Sequence, residues 1–127
     1  GTRDVDPKRF GEAQRMLIYR AAHLPHVARI FVAPGIKRAM CGITWRDPSF
    51  LGKLRPWYGH DDHFHVRLAC PAGVASCADQ NPPPAGDGCG AELDYWFTDG
   101  PYKPVKPTPP LTLADLPKQC RAVLTAK

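Results

Sequence analysis

The sequence lacks the marks of several common protein classes. It has no run of about 18 apolar residues, so no segment is built to cross a membrane as a helix. It has no Lys/Arg run of five or more and no interleaving of aromatic and basic residues. A nucleic-acid stacking platform is therefore not expected, although the formal charge is +5. No two cysteines have CxxC spacing, which argues against a thioredoxin-like redox site or a zinc knuckle. No internal repeat is present. The chain opens Gly1-Thr2-Arg3 with no initiator Met, charged leader, apolar h-region or small-residue cleavage site. A soluble piece, processed or cut from something longer, is expected.

Proline and glycine are abundant instead. The 127 residues hold 15 prolines and 11 glycines, which point to a loop-rich fold with one modest core rather than a helical bundle. The five cysteines, Cys41, Cys70, Cys77, Cys89 and Cys120, sit among Pro/Gly loops, as disulfides do in exported domains. An odd count leaves one cysteine free or paired outside the chain. The positive charge suits an acidic partner, and a carboxylate-bearing wall polymer fits it as well as nucleic acid does.

Local patterns give an α+β reading. Residues 7–23 are predicted as a helix, with Phe10, Ala13, Leu17 and Ala21 at helical spacing, Ile18 and Met16 broadening the face, and Pro25 closing it. Val27–Ala33 is a strand candidate. Ile36–Cys41 reads as a short helix with Lys37 and Arg38 on its wet side, and a further helical turn is expected from Asp47-Pro48 to about Leu54. Arg55-Pro56-Trp57-Tyr58 reads as a turn, and Asp62–Leu68 as a strand. Loop follows Cys70 to about Gly90, with Pro82-Pro83-Pro84 and Gly86-Asp87-Gly88 as breakers, and Ala91–Phe97 is a short element of open type. Residues 100–110 hold five prolines and read as an extended strap. Residues 111–127 are expected to form a last helix, with Leu113, Leu116, Cys120 and Val123 inward. These elements make a small, mainly antiparallel sheet with flanking helices and long Pro/Gly-rich, disulfide-bonded loops. Two convincing strands are too few for an independent sheet, so the chain is expected to be part of a larger domain.

Chemistry concentrates in Gly59–His65, which holds three of the five histidines. On a strand, His63 and His65 project to one face with Cα atoms roughly 7 Å apart, close enough for two imidazoles to meet at one metal. Asp61 shares that face if the strand extends back, and a carboxylate there can orient an imidazole. Phe64, Val66 and Leu68, on the other face, are expected to anchor the strand. Zinc suits imidazole and carboxylate ligands, with cobalt or copper as alternatives. An HxH pair is also common in ordinary polar strand edges, and the segment supplies no third ligand.

Pro56-Trp57-Tyr58, His60, His63 and His65 run into Val66-Arg67-Leu68 and Cys70-Pro71. With Cys77, Gly86-Asp87-Gly88-Cys89-Gly90-Ala91-Glu92-Leu93, Arg29-Ile30-Phe31-Val32 and Ile36-Lys37, this set resembles the penicillin-insensitive murein endopeptidases, within the lysostaphin/D-Ala-D-Ala metallopeptidase group. The resemblance covers nearly the whole chain. It implies that residues 1–127 are the C-terminal part of a single zinc-peptidase domain. It makes His65 a Zn2+ ligand, His63 and His60 catalytic histidines, and Trp57 a wall of the substrate cleft. It also implies Cys70–Cys77 and Cys41–Cys89 bridges, with Cys120 pairing outside the chain. The family's HxxxxxxD motif, which supplies the other two ligands, is absent: seven positions after His23 and His26 stand Ile30 and Ala33.

For the remaining residues plainer roles are available. His23 and His26 flank a helix end, where histidine favourably meets the last carbonyls. Trp57 fits a half-buried core position as well as a cleft wall. Arg67, on the His65 face, either binds a substrate carboxylate or forms a structural salt bridge, the simpler expectation. The resemblance implies a periplasmic zinc D,D-endopeptidase cutting D-alanyl–meso-diaminopimelate cross-links in peptidoglycan. Its partners would be the cross-link peptides and the missing N-terminal half, without nucleic acid or membrane insertion. This chain alone would be inactive. The alternative is a non-catalytic wall-binding module with a degenerate metal site.

Overall fold

The computed structural model describes residues 4–126, so Gly1–Arg3 and the last residue of the expected C-terminal helix lie outside the described residues. The first helix, α1, spans Glu12–Ala22. It is shorter than expected because Gly11 interrupts the chain after a turn in which the Arg9 and Phe10 amides donate to the Asp6 carbonyl. Gln14 accepts the Gly11 N–H at 3.0 Å, and Glu12 and Arg20 lie in the first and last turns, matching the helix dipole. Ile18 and Ala22 are buried, and Phe10 and Ala21 pack half-buried against the core as expected, whereas Ala13 and Leu17 of the expected row are exposed, Leu17 at 57%.

Strand β1 (Val27–Val32) runs directly into α2 (Pro34–Cys41), whose first position is Pro34, a residue with no N–H to leave unpaired. A 3-10 turn, Pro48–Lys53, starts where Asp47 accepts the Ser49 amide. It leads into β2 (Leu54–Pro56), which pairs parallel with β1, Ile30 opposite Leu54 and Val32 opposite Pro56. Arg55-Pro56, expected as a turn, is thus a strand, and Pro56 is tolerated because β2 is an edge. Strand β3 (His65–Leu68) pairs antiparallel on the other side of β1, giving the order β2-β1-β3. The sheet is mixed, with one parallel and one antiparallel pairing.

The core joins Ile18 and Ala22 of α1 to Val27, Ile30 and Val32 of β1, Met40 of α2, and Phe50, Leu51 and Leu54. Lys37, expected on the wet side, is fully buried. Its Nζ donates to the Leu51 carbonyl at 2.6 Å and to the Asp87 carbonyl, tying α2 to the Gly86–Gly88 loop. That loop lies so close that a Cβ on Gly88 would stand 2.7 Å from an Arg55 guanidinium nitrogen, and Gly88 also has φ +67°. Arg38 is exposed as expected and packs its guanidinium 3.6 Å over the Phe97 ring.

Bridges Cys41–Cys89 and Cys70–Cys77 are formed, and Cys120 is free and exposed. Helix α3 (Ala91–Tyr95) resolves the element of open type. The strap begins with a 3-10 turn, Gly100–Tyr102, and continues without regular structure. The expected single C-terminal helix is a 3-10 turn, Leu113–Asp115, followed by α4 (Lys118–Thr125), because Pro117 breaks the run. Its apolar residues are not inward: Leu113 is 58% and Val123 76% exposed, Cys120 is exposed, and Leu116 is half-buried.

Candidate active site around three histidines

The histidine segment begins at Gly59, whose φ of +71° makes the sharp turn out of β2. The turn is pinned from both sides: the Trp57 amide donates to the Val32 carbonyl at 2.8 Å, and the Ala33 amide donates to the His60 carbonyl at 3.1 Å. His60 is thereby fixed to the end of β1. β3 starts only at His65, so His63 stands on the loop and does not share a strand face with His65 as expected. Leu68 is 63% exposed and anchors nothing; Phe64 and Val66 pack against the core.

The three imidazoles nevertheless gather, with His60 between the other two. Its ring centroid is 4.9 Å from that of His63 and 6.1 Å from that of His65. His60 Nδ1 lies 3.0 Å from the Tyr58 carbonyl oxygen. A carbonyl only accepts, so Nδ1 carries a hydrogen, and in the neutral ring the lone pair is at Nε2. His63 Nδ1 lies 2.7 Å from Asp62 Oδ1, which assigns its hydrogen the same way. That hydrogen bond holds the Asp62 carboxyl below its usual range. The orienting carboxylate is therefore Asp62, where the sequence pattern pointed to Asp61. The His65 ring makes no hydrogen bond among the described residues.

Phe31 is the floor of this cluster. Its ring lies 5.6 Å from His65, 6.2 Å from His60 and 5.9 Å from Trp57. Sequence reasoning gave Phe31 no role beyond its strand. The available signal was the alternation Arg29, Phe31 against buried Ile30 and Val32. Trp57, 44% exposed, stacks on Tyr58 at 5.4 Å and leans on Trp96 at 5.7 Å, and it is not one of the buried core residues. Trp96 was not anticipated. His63, Asp61, Asp62 and Tyr58 line a cavity of about 900 Å³.

Arg67 follows His65 on the same face of β3 and makes no ion pair among the described residues, so the structural salt bridge is not formed. His23 is a cap, as expected: Nδ1 lies 2.8 Å from the Tyr19 carbonyl oxygen and Nε2 2.9 Å from Asp47 Oδ2. The imidazoles suit zinc as donors, but the set is incomplete. Among the described residues no group of three or more His, Cys, Asp or Glu side chains is placed to hold one ion.

The sequence profile of the family described as penicillin-insensitive murein endopeptidase matches residues 1–125. Proteins of that name from two Klebsiella pneumoniae strains are each 48% identical over 123 residues, covering 94% of this chain. One from Salmonella paratyphi B is 47% identical over the same length. The chain spans 43% of the length of these curated relatives. The chain thus belongs to the penicillin-insensitive murein endopeptidase family.

Proposed function

We propose that this chain carries the histidine half of a zinc-dependent murein D,D-endopeptidase that hydrolyses D-alanyl–meso-diaminopimelate cross-links in exported, periplasmic surroundings. The observation that carries the reading is the gathering of His63 and His65 about His60, with His60 and His65 against Phe31, in a chain of this family. His65 is the zinc ligand, since its ring is uncommitted and faces outward from the edge strand β3. The other ligands come from further chain, as this one has no HxxxxxxD motif and no three-residue ligand group among its described residues.

The chemistry such an ion supplies is Lewis acidity and a bound water acidified toward a pKa of about 7. His63 takes or relays the proton of the attacking water at Nε2, the nitrogen left free by its bond to Asp62. His60 presents a second free Nε2 beside it. Trp57 walls the cleft, and Arg67 meets substrate. The +5 charge suits an anionic, carboxylate-bearing polymer.

Further chain packing on this one would have apolar side chains to cover: Leu17 is 57%, Val105 84%, Leu111 82% and Val123 76% exposed. Free Cys120 stands ready to bridge to that further chain. Alone, the chain should neither hold zinc tightly nor cleave.

The test is to co-express this chain with the N-terminal portion of its family and assay cleavage of cross-linked muropeptide dimers. Cleavage by the pair and not by the chain alone is expected. A pair that binds murein without cutting it is instead the wall-binding module.

A further inference from the structure

We propose that Arg29 and Arg67 form a carboxylate-binding subsite on the sheet face that carries His65. Across β1 and β3, Arg29 is opposite Arg67 and Phe31 is opposite His65. Between these pairs lies Ile30 opposite Val66, packed into the core. Side chains alternate across a sheet, so the arginine pair and the Phe31–His65 pair share the outer face, with Arg67 about 7 Å from His65 along the strand.

Like charges directly opposite on antiparallel strands destabilise the pairing. One of the two is partly compensated: Arg29 donates to the Asn81 carbonyl at 2.7 Å and to Gln80 Oε1 at 3.5 Å, and lies 5.8 Å over the Phe31 ring. Arg67 has no hydrogen-bond or ionic partner among the described residues. Both line a groove of about 440 Å³ beneath the Cys70–Cys77 loop. The one carboxylate in its lining is Asp79, whose Oδ1 already accepts the Cys70 amide at 2.7 Å. The groove thus keeps an excess of positive charge, with one planar guanidinium uncommitted. That fork matches a carboxylate through two parallel N–H···O bonds.

The ligand class is a peptide with a free carboxylate within about one residue of the bond presented to His65. This identification rests on the endopeptidase reading, because it takes the cross-link peptide as the occupant. The diaminopimelate residue of such a cross-link carries a carboxylate beside its acylated amine. The pair would therefore read the leaving side of the scissile bond, holding it in register while the histidines act at the carbonyl.

The test is calorimetric titration of the 127-residue chain with a D-alanyl–diaminopimelate peptide bearing free carboxylates, and with its carboxamide. The carboxylate form should bind roughly ten- to a hundred-fold more tightly, as expected for a charge-assisted bond. That preference should fall toward unity in Arg67→Gln and in Arg29→Gln, and be partly kept in Arg67→Lys. Circular dichroism of each variant confirms the fold. Because the two peptides are compared on the unaltered chain, the result stands even if a variant misfolds. Equal affinity for both peptides, binding of neither, or a preference unchanged in both glutamine variants overturns the subsite. Cleavage by the co-expressed pair is read separately. Selective binding without cleavage would remove the endopeptidase reading and leave the subsite, and cleavage with equal binding would do the reverse.

Discussion

Phe31 and His65 face each other across β1 and β3, their rings edge to face with centroids 5.6 Å apart. Through that contact the central strand of the sheet sets where the His65 imidazole stands. Phe31 touches His60 and Trp57 as well, so one side chain supports three members of the site. Phe31→Ala should lower stability by about 2 kcal/mol, less than for a fully buried phenylalanine. In the reconstituted protein it should also weaken zinc binding roughly tenfold or more, as loss of a supporting shell does. Urea unfolding and zinc titration check the two parts, and Phe31→Leu should recover most of the first.

Lys37 gives a stability that rises with pH. Burial, and then the neighbouring Arg55 charge, hold its ammonium down to about 8. The unfolded chain keeps that proton to about 10.4, so between these values the unfolded state binds more protons and folding is favoured as pH rises. Wild type should therefore gain stability relative to Lys37→Met between pH 7.5 and 9.5, read as the difference in urea midpoints. A constant difference would show that Lys37 does not titrate there.

The His23–Asp47 bridge works in the opposite sense on its alkaline side. The Tyr19 carbonyl and then Asp47 raise the His23 pKa above 6.5. Its contribution is complete below the unfolded value and is lost as pH rises through the raised one. Asp47 is lowered to about 2, first by its bonds to Ser49 and then by His23. That contribution is present above the unfolded value of 3.8 and is lost as pH falls toward 2. Asp47→Asn should thus lower Tm more at pH 5.5 than at pH 8.5, by thermal melts in matched buffers.

The two bridges should differ in weight. Cys41–Cys89 joins residues 48 apart and Cys70–Cys77 residues 7 apart. Loop-closure entropy gives about 4 kcal/mol for the first and about 2 for the second. Replacing each pair with serines should reproduce that order in denaturant unfolding. The unaltered chain should react with one equivalent of a thiol reagent, at Cys120.

Several of these features were legible in the residues and others were not. β1 was readable because Val27–Val32 is a β-branched run ending at Pro34-Gly35, and the histidine segment because three imidazoles in six positions are conspicuous. β2 was hidden: three residues including a proline look like a turn until a neighbouring strand is known to pair with them. Lys37 was misplaced because lysine is ordinarily wet. Its burial depends on two carbonyls, of Leu51 and Asp87, that only the fold brings to it. In α1 the apolar face was legible in Phe10, Ile18 and Ala21 but too broad at Leu17, because Leu17 and Ile18 are equally apolar and only Ile18 faces the core. In the site, the trio was visible, but β3 starts three residues later than alternation suggested, which leaves Asp62 on the loop beside His63.

In the proposed enzyme His65 is the one zinc ligand this chain contributes, with His63 acting beside it. The most direct measurement is the zinc content of the co-expressed pair, purified as wild type, His65→Ala and His63→Ala. One zinc per pair is expected in the wild type and in His63→Ala, the latter without cleavage, and none in His65→Ala. A wild-type pair without zinc, or zinc retained in His65→Ala, would contradict the account.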